Sequence, residues 1–363
     1  MFKKQPLSAV IVLMTVIILM FDFLGPIRVF SSYENRYLTQ RPTLNWQDVV
    51  DGKWMLTYEE FINDQFMIRD GWITLKSLSE RFLMKQENNG ILFGKDGYLF
   101  DKIFKLNEQA SLNLRYLAEF EKLVNAPLTS MIIPNSYAIY PHLLPKGAPL
   151  LNQVDLIEKW DKNLNLLRVD GQLLANNAQS LYYKNDHHWN LQGAYIAYTV
   201  LCEQWGLTPL LYESFAIEYQ TDFFGTYYAK AKPSSVIADR LEFIDPVIHS
   251  YRVGDKTFSS IIDRNKLSTH DKYGAFLHGN IGLSTVTVNE TKNPSRLLVI
   301  KDSYANSLIP FLSMHFDEIV IVDLRHFSGS LSAVMQSESF DQILFIQNFS
   351  NFTTDAHLAK LRY

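Results

Sequence analysis

The chain opens on an apolar run. Residues 6–25, PLSAVIVLMTVIILMFDFLG, contain one charged residue, Asp22, and follow the basic MFKK. Such a run is about long enough to cross a bilayer as a helix. Lysines on its amino-terminal side favour an N-in orientation. A cleaved signal peptide has a shorter apolar region and a small-x-small cleavage site. The sequence that follows, PIRVFSSYENR, offers Ser31 and Ser32 but no A-x-A pattern. The pattern predicts a cytoplasmic tail over residues 1–5 and an uncleaved single-pass transmembrane signal-anchor over 6–25. The rest of the chain is expected outside the cytoplasm, at the cell membrane.

From Tyr33 to Lys85 the pattern turns helical and polar-aromatic. Trp54, Tyr58, Phe61, Ile62 and Phe66 fall at helical spacing. Residues 26–90 thus read as a helical stalk or amino-terminal extension. ILFGKDGYLF then reads as two short strands about a Lys95-Asp96-Gly97 turn, and the main domain, 91–363, is taken to start there. PLTSMII is an apolar strand that stops at Pro134-Asn135, and an amphipathic stretch follows around Val154 to Leu167. Asn190 is placed to cap a helix that carries Ala194, Ile196, Ala197, Val200 and Leu201. Residues from about 211 to 288 are irregular, with the alternating runs LEFIDPVIHSYRV and STVTVNE. They read as a β-rich insertion.

From Arg296 the pattern becomes regular. RLLVIK, EIVIV and DQILFIQNF are continuous apolar strands, separated by segments that suit helices. Strands of this kind belong to a parallel sheet covered on both faces, so the fold class is α/β. Ligands of such sheets sit beyond the carboxyl ends of the strands. Ser303, Arg325 and Asn348 fall at three successive strand ends.

Composition narrows the chemistry. The chain is 47% hydrophobic and 20% charged, which is globular rather than disordered. A net charge of -4 argues against general nucleic-acid binding. No P-loop or G-x-G-x-x-G is present. A single cysteine, Cys202, excludes an internal disulfide and a Cys-rich zinc site. It lies in an apolar helical pattern and reads as a buried structural thiol. The 24 Phe and 19 Tyr suit either an aromatic core or exposed rings that stack on sugars.

Two stretches carry candidate chemistry. In LLVIKDSYA, Ser303 passes from a buried strand into a helix. Its own N–H then sits where partial positive charge stabilises a developing oxyanion. The same position suits a serine that only caps the helix. In YYKNDHHWN, Asp186 and His188 stand two apart, so on an extended or turn segment they point the same way. Asp186 can then orient one nitrogen of His188 while the other faces a serine. His187 is expected to point away, and Trp189 to pack beneath the loop. Two other readings use the same residues. One is a metal site, which needs a further ligand. His142, His278, His315 and His326 are available, but none shows a metal-ligand spacing. The other is a solvated polar loop.

YYKNDHHWNLQGAYIAY resembles the signature of the DHHW protein family, relatives of the alginate O-acetyltransferase proteins and, more distantly, of SGNH hydrolases. ENRYL, DGKW to NDQFMIRD, GKDGYLF, FLHGN and KDSYANSLIPFL followed by VDLRHF agree in order. The resemblance implies an SGNH hydrolase-like parallel sheet flanked by helices, in a permuted motif order, with Asp186, His188 and Ser303 as a triad. Lys301 stands where such enzymes carry glycine. Asn348 falls where the oxyanion asparagine belongs, and equally suits a turn. Arg325 suits either an anionic or sugar group or a pairing with Asp323. Gly279 and Asn280 are further candidates for the oxyanion or substrate site. The implied activity is serine-dependent O-acetyl transfer to a cell-surface polysaccharide through an acetyl-serine, with no cofactor and no metal. A membrane-bound O-acyltransferase is implied as the acetyl-donating partner. The alternatives are a carbohydrate esterase with the same triad and a non-catalytic scaffold of an export complex.

Overall fold

The structure, a computed structural model, describes residues 6–31, 33, 36–233 and 236–362. The expected tail, Met1–Gln5, and Glu34 and Asn35 of ENRYL lie outside the described residues. Contacts divide the chain into two units, residues 1–88 with 229–235 and residues 89–228 with 236–363.

The first unit is helical. It contains α1 (Pro6–Leu24), α2 (Trp46–Val50), α3 (Lys53–Gln65) and α4 (Arg69–Phe82). The apolar run does form α1, but among the described residues no helix is long and apolar enough to cross a membrane. The transmembrane anchor expected over 6–25 is therefore not supported. Asp64 of α3 organises the segment before it. It accepts from the Thr39 N–H at 2.8 Å and is forked by Arg36. The Arg36 guanidinium holds the Asp64 carboxyl down to about 2. The aromatic face expected on α3 is half-buried, with Trp54 stacked on Tyr58 at 4.8 Å. Residues 231 and 232 bond to this unit through their carbonyls: Ser77 donates to Lys232 O at 2.7 Å and Asn88 to Ala231 O at 2.9 Å.

The second unit opens on the expected hairpin, β1 (Ile91–Phe93) and β2 (Leu99–Asp101), paired antiparallel. Asp96 (φ 55°) and Gly97 (φ 81°) make its turn in the left-handed region, where glycine carries no steric penalty. The main sheet follows. Its strands are β3 (Leu128–Ile133), β6 (Ser250–Val253), β7 (Lys256–Phe258), β8 (Leu283–Thr287), β9 (Arg296–Lys301), β10 (Glu318–Val322) and β11 (Gln342–Asn348). Their order is β7-β6-β8-β10-β9-β11-β3. The four strands β10, β9, β11 and β3 are parallel, and β8, β6 and β7 extend the sheet antiparallel. A separate pair, β4 (Ile217–Phe223) with β5 (Asp239–Ile244), is antiparallel. The stretch read as an insertion is thus only partly one. Three strands of its second half, Ser250–Val253, Lys256–Phe258 and Leu283–Thr287, belong to the central sheet.

Alternation along the strands places one core on each face. Leu297 and Val299 of β9 join Leu344 and Ile346 of β11 on one side, against α7 (Leu191–Trp205). Leu298 and Ile300 join Ile343 and Phe345 on the other, against α5 (Gln109–Leu123) and α6 (Gln153–Leu164). Burying each such side chain stabilises the fold by about 1.5–3 kcal/mol. The layering is the one the apolar runs predicted. Cys202 of α7 is buried as expected, its thiol pushed up to about 11 by that burial.

Candidate active site

Ser303, Arg325 and Asn348 lie just beyond or at the carboxyl ends of β9, β10 and β11. Beyond β9 come the polar turn and the helix expected there, both short. The chain makes a 3-10 turn, Ser303–Ser307, and then a four-residue helix, Ile309–Leu312, with Pro310 at its start. Proline lacks an N–H, so a helix cannot run through it without losing a hydrogen bond. Asp302 caps the turn, accepting from Tyr304 N at 2.9 Å. Its other oxygen accepts from Asn348 N at 2.8 Å and Asn351 Nδ2 at 2.7 Å. Buried Asp302 thereby ties the ends of β9 and β11 together.

The DHHW segment is a tight hairpin. Tyr182 bridges Trp189, and Tyr183 N donates to His188 O at 3.3 Å. Asn190 caps α7 through Gly193 N at 3.0 Å. Trp189 is fully buried and donates to Tyr304 O at 2.8 Å and to Ser307 Oγ at 3.1 Å. The tryptophan therefore fastens the hairpin to the turn that carries Ser303.

These supports bring together the three residues singled out by spacing. His188 Nδ1 lies 2.5 Å from Asp186 Oδ1, and His188 Nε2 lies 2.8 Å from Ser303 Oγ. Asp186 is 1% exposed, His188 3% and Ser303 9%. The second oxygen of Asp186 accepts from Thr226 N at 2.7 Å and from Thr226 Oγ1 at 3.1 Å. Gly225 is required beside it, because a Cβ there would stand 2.2 Å from Asp186 Oδ2. Tyr273 stacks flat on the His188 ring, with centroids 3.7 Å apart, and donates to Ser303 O at 3.2 Å. The Ser303 N–H makes no hydrogen bond among the described residues.

The electrostatics suit a neutral imidazole. Burial, then the charge on His187, push His188 down to about 4 against the pull of Asp186. Burial works against ionising Asp186, yet His187 and His188 hold its carboxyl well below the usual range.

His187 does not turn away. Its ring lies over that of His188, with centroids 3.7 Å apart, and its Nδ1 is 2.6 Å from Thr226 Oγ1. The hairpin is too tight for strict alternation: Tyr304 Oη donates to His187 O and fixes that residue at the site. Asp186, His187 and His188 are also the one cluster of potential metal ligands among the described residues, their ligand atoms within 4.8 Å of one another. Thr226 bonds to His187 Nδ1 and Asp186 Oδ2, and Ser303 faces His188 Nε2. His315 pairs instead with Tyr198, and His278 with Ser260 O.

The remaining candidates have structural partners. Asn348 Oδ1 caps the following helix through Ser350 N at 3.0 Å, and its Nδ2 donates to Ile133 O at 3.1 Å. Arg325 forks Asp323 at 2.9 and 2.6 Å. Lys301, in place of glycine, is buried, with its Nζ 2.8 Å from Asn306 Oδ1 and 3.6 Å from Asp323. Gly279 makes a turn at φ 101°, its N–H donating to Phe276 O, and Asn280 is exposed. Among the described residues neither bonds to Asp186, His188 or Ser303. Sequence reasoning missed Thr226, Gly225, Tyr273 and Tyr304. The first three lie in the stretch read as an insertion.

Solved structures share this fold. A DHHW family protein from Eubacterium siraeum DSM 15702 is similar at 24% identity with a TM-score of 0.66, covering 76% of this chain and 95% of its own. PatB1 of Bacillus cereus is similar at 19% identity with a TM-score of 0.60, covering 74% of this chain and 98% of its own. The same protein with a sulfonyl adduct gives 19% and 0.59, over 75% of this chain and 100% of its own. None of the curated proteins compared matches this chain. Residues 154–322, the span that carries Asp186, His188 and Ser303, match the DHHW protein family.

Proposed function

We propose that the chain is an extracytoplasmic, serine-dependent O-acetyltransferase acting on a cell-surface polysaccharide. The observation that carries this reading is the hydrogen-bonded series Asp186–His188–Ser303, whose two contacts are 2.5 and 2.8 Å. Ser303 Oγ attacks the acetyl carbonyl of a donor ester as His188 Nε2 takes its proton. The donor's C–O bond breaks, and the leaving alcohol receives that proton. A sugar hydroxyl then attacks the acetyl-serine, giving its proton to His188, and Ser303 leaves with that proton restored. Asp186 holds the His188 tautomer through both halves. The unengaged Ser303 N–H supplies one oxyanion donor. A membrane-bound O-acyltransferase is the proposed source of the acetyl group.

PatB1, similar in fold, is known with a sulfonyl adduct, which recommends the test. Incubation with a sulfonyl fluoride is expected to add one sulfonyl group at Ser303, seen by mass spectrometry. An unmodified oligosaccharide with an activated acetyl ester is then expected to gain acetyl groups in a Ser303-dependent manner. Labelling that survives Ser303→Ala overturns the serine reading. Acetate release without any transfer makes the protein an esterase instead.

A further inference from the structure

The imidazole of His188 stands inside a stack of three rings. Tyr273 lies flat on it with centroids 3.7 Å apart, and His187 lies over it at 3.7 Å with 40° between the planes. Two rings cannot share one face at that distance, so His188 is sandwiched between them and its Nε2 edge is left for chemistry. The two flanks differ. Tyr273 is buried, and its hydroxyl donates to Ser303 O at 3.2 Å. The His187 side chain is 24% exposed. The open flank of the Ser303–His188 pair is therefore that of His187.

Only one nitrogen of His187 is engaged. Its Nδ1 lies 2.6 Å from Thr226 Oγ1 and 3.5 Å from Asp186 Oδ1. Thr226 Oγ1 donates its proton to Asp186 Oδ2 at 3.1 Å, so toward His187 it accepts, and Nδ1 carries the hydrogen. His187 Nε2 has no hydrogen-bond partner among the described residues, and it is not one of their buried unpaired atoms, so it is open to solvent. The carboxylate sets its direction. His188 Nδ1 lies 2.5 Å from the same Asp186 oxygen. Both rings turn their Nδ1 edge to Asp186 and lie over one another, so both Nε2 edges lie on the side away from it. On that side His188 Nε2 meets Ser303 Oγ at 2.8 Å. The site thus presents two imidazole nitrogens side by side, one on the serine and one without a partner. Partial burial opposes a charge on His187, but Asp186 raises its value, helped by Asp101 and Asp302. A charged ring makes Nε2 a donor.

A donor at that place selects an oxygen beside the one that reacts. In the second half of the transfer the attacking hydroxyl sits at His188 Nε2, gives it a proton and displaces Ser303 Oγ from the acetyl carbon. Adjacent hydroxyls on a pyranose stand about as far apart as two hydrogen-bonded oxygens. Two imidazoles stacked at 3.7 Å can hold one such oxygen each. We propose that His187 is a specificity-determining residue that holds the neighbouring hydroxyl of the acceptor through Nε2, so that the site takes a vicinal diol of a sugar ring in preference to an isolated alcohol. His187 neither gains nor loses a proton in the transfer. Naming the held molecule as the acceptor rests on the acetyl-transfer reading above, whereas the pairing of His187 with a second oxygen does not.

The test uses the full chain and three probes. Two are cis- and trans-1,2-cyclohexanediol, which reproduce the two relative arrangements of neighbouring hydroxyls on a pyranose. The third is cyclohexanol. With an activated acetyl ester as donor, at least one diol is expected to be acetylated with a kcat/KM about tenfold or more above that of cyclohexanol. The same diol is expected to slow sulfonyl labelling of Ser303 at a concentration where cyclohexanol does not. His187→Phe keeps a ring on His188 without a nitrogen, and should bring the acetylation preference to within about twofold of unity. His187→Gln keeps an amide donor and should retain part of it. Diol and alcohol are compared on one preparation, so a general loss of activity cancels, and a merely structural His187 would leave the ratio in place. Equal use of cyclohexanol and both diols by the wild-type chain overturns the inference, as does a diol preference that survives His187→Phe in full. Acetyl transfer without diol preference overturns it alone and leaves the acetyl-transfer reading. Diol-selective protection of Ser303 with no transfer to any alcohol overturns that reading and leaves the role of His187.

Discussion

The chain contains two Asp-x-His turns built to one local plan. In the first, His188 Nδ1 lies 2.5 Å and His188 N lies 2.9 Å from Asp186 Oδ1. In the second, His357 Nδ1 lies 2.7 Å and His357 N lies 2.8 Å from Asp355 Oδ1. They part company beyond the turn. The His188 side chain is 4% exposed and that of His357 is 51% exposed. His188 Nε2 meets Ser303, 115 residues further along, while His357 meets no such hydroxyl among the described residues. The second oxygen of Asp186 takes two bonds from Thr226, whereas that of Asp355 is buried with none. A carboxylate and an imidazole two residues apart are therefore a product of local backbone geometry. Long-range packing is what surrounds one such pair with a serine hydroxyl, a threonine that donates to the carboxylate, and a dry wall.

If distance partners separate the two turns, the largest effects fall on one of them alone. Ser303→Ala and His188→Ala are each expected to lower acetyl turnover by ~10³-fold or more, and Asp186→Asn by a similar factor. His357→Ala is expected to leave turnover within about twofold, as an exposed side chain outside the triad should. Equal losses at His188 and His357 would break the comparison. Next in size is Gly225→Ala. Its new Cβ would stand 2.2 Å from Asp186 Oδ2, so the carboxylate must move. Turnover is expected to fall ~10²-fold through misplacement of the dyad. Thermal unfolding should show a loss of about 1–3 kcal/mol from overpacking. Unchanged turnover would mean that the clamp on Asp186 is dispensable.

The pH profile sharpens the contrast further. His188 must be neutral to act as a base, and its value is pushed down to about 4 by burial and by the charge on His187. Activity is thus expected in full above that value and lost as pH falls through it. His187→Gln removes the neighbouring charge, so the acid limb should move to higher pH. Stability follows its own window. A histidine whose folded value lies below its unfolded one of about 6.5 lets the unfolded chain take the proton first. Stability should therefore begin to fall below that pH and continue down to about 4. An acid limb that ignores His187→Gln would remove His187 from the electrostatics of the site.

The same contrast explains what was readable in advance. The parallel strands were legible because burial on both faces demands continuous apolar runs, as in Leu297–Ile300. Asp186, His188 and Ser303 were legible because their side chains are set by turns and strand ends that short sequence patterns announce. Trp189 and Asn190 followed from the same local logic. Gly225, Thr226 and Tyr273 were not legible. They come from a stretch without a steady period, and each acts on a partner distant in the chain. His187 was misread because strict alternation applies to extended strands, and the hairpin is a tight turn held by Tyr304. The place of β6 and β8 in the main sheet was hidden for a related reason. Their pairing is antiparallel and their strands short, so no continuous apolar run marks them as central. Lys301 departs from the expected glycine, and the structure answers that departure with a buried Asn306 and Asp323.

The smallest expected effect tests the second turn on its own terms. Asp355 Oδ1 accepts from His357 N at 2.8 Å at the start of the last 3-10 segment, Ala356–Arg362. That is the work of a cap. Its backbone carbonyl also receives Asn113 Nδ2 at 2.9 Å, a contact that a side-chain change leaves in place. Asp355→Ala is therefore expected to lower stability by about 1 kcal/mol, the usual value of a lost cap, and to leave turnover and Ser303 labelling unchanged. Denaturant unfolding and an acetyl-ester assay on the same preparation measure both. A tenfold loss of turnover with an unchanged unfolding midpoint would make this turn chemical rather than structural. The distinction between the two Asp-x-His turns would then lie in something other than burial and a serine partner.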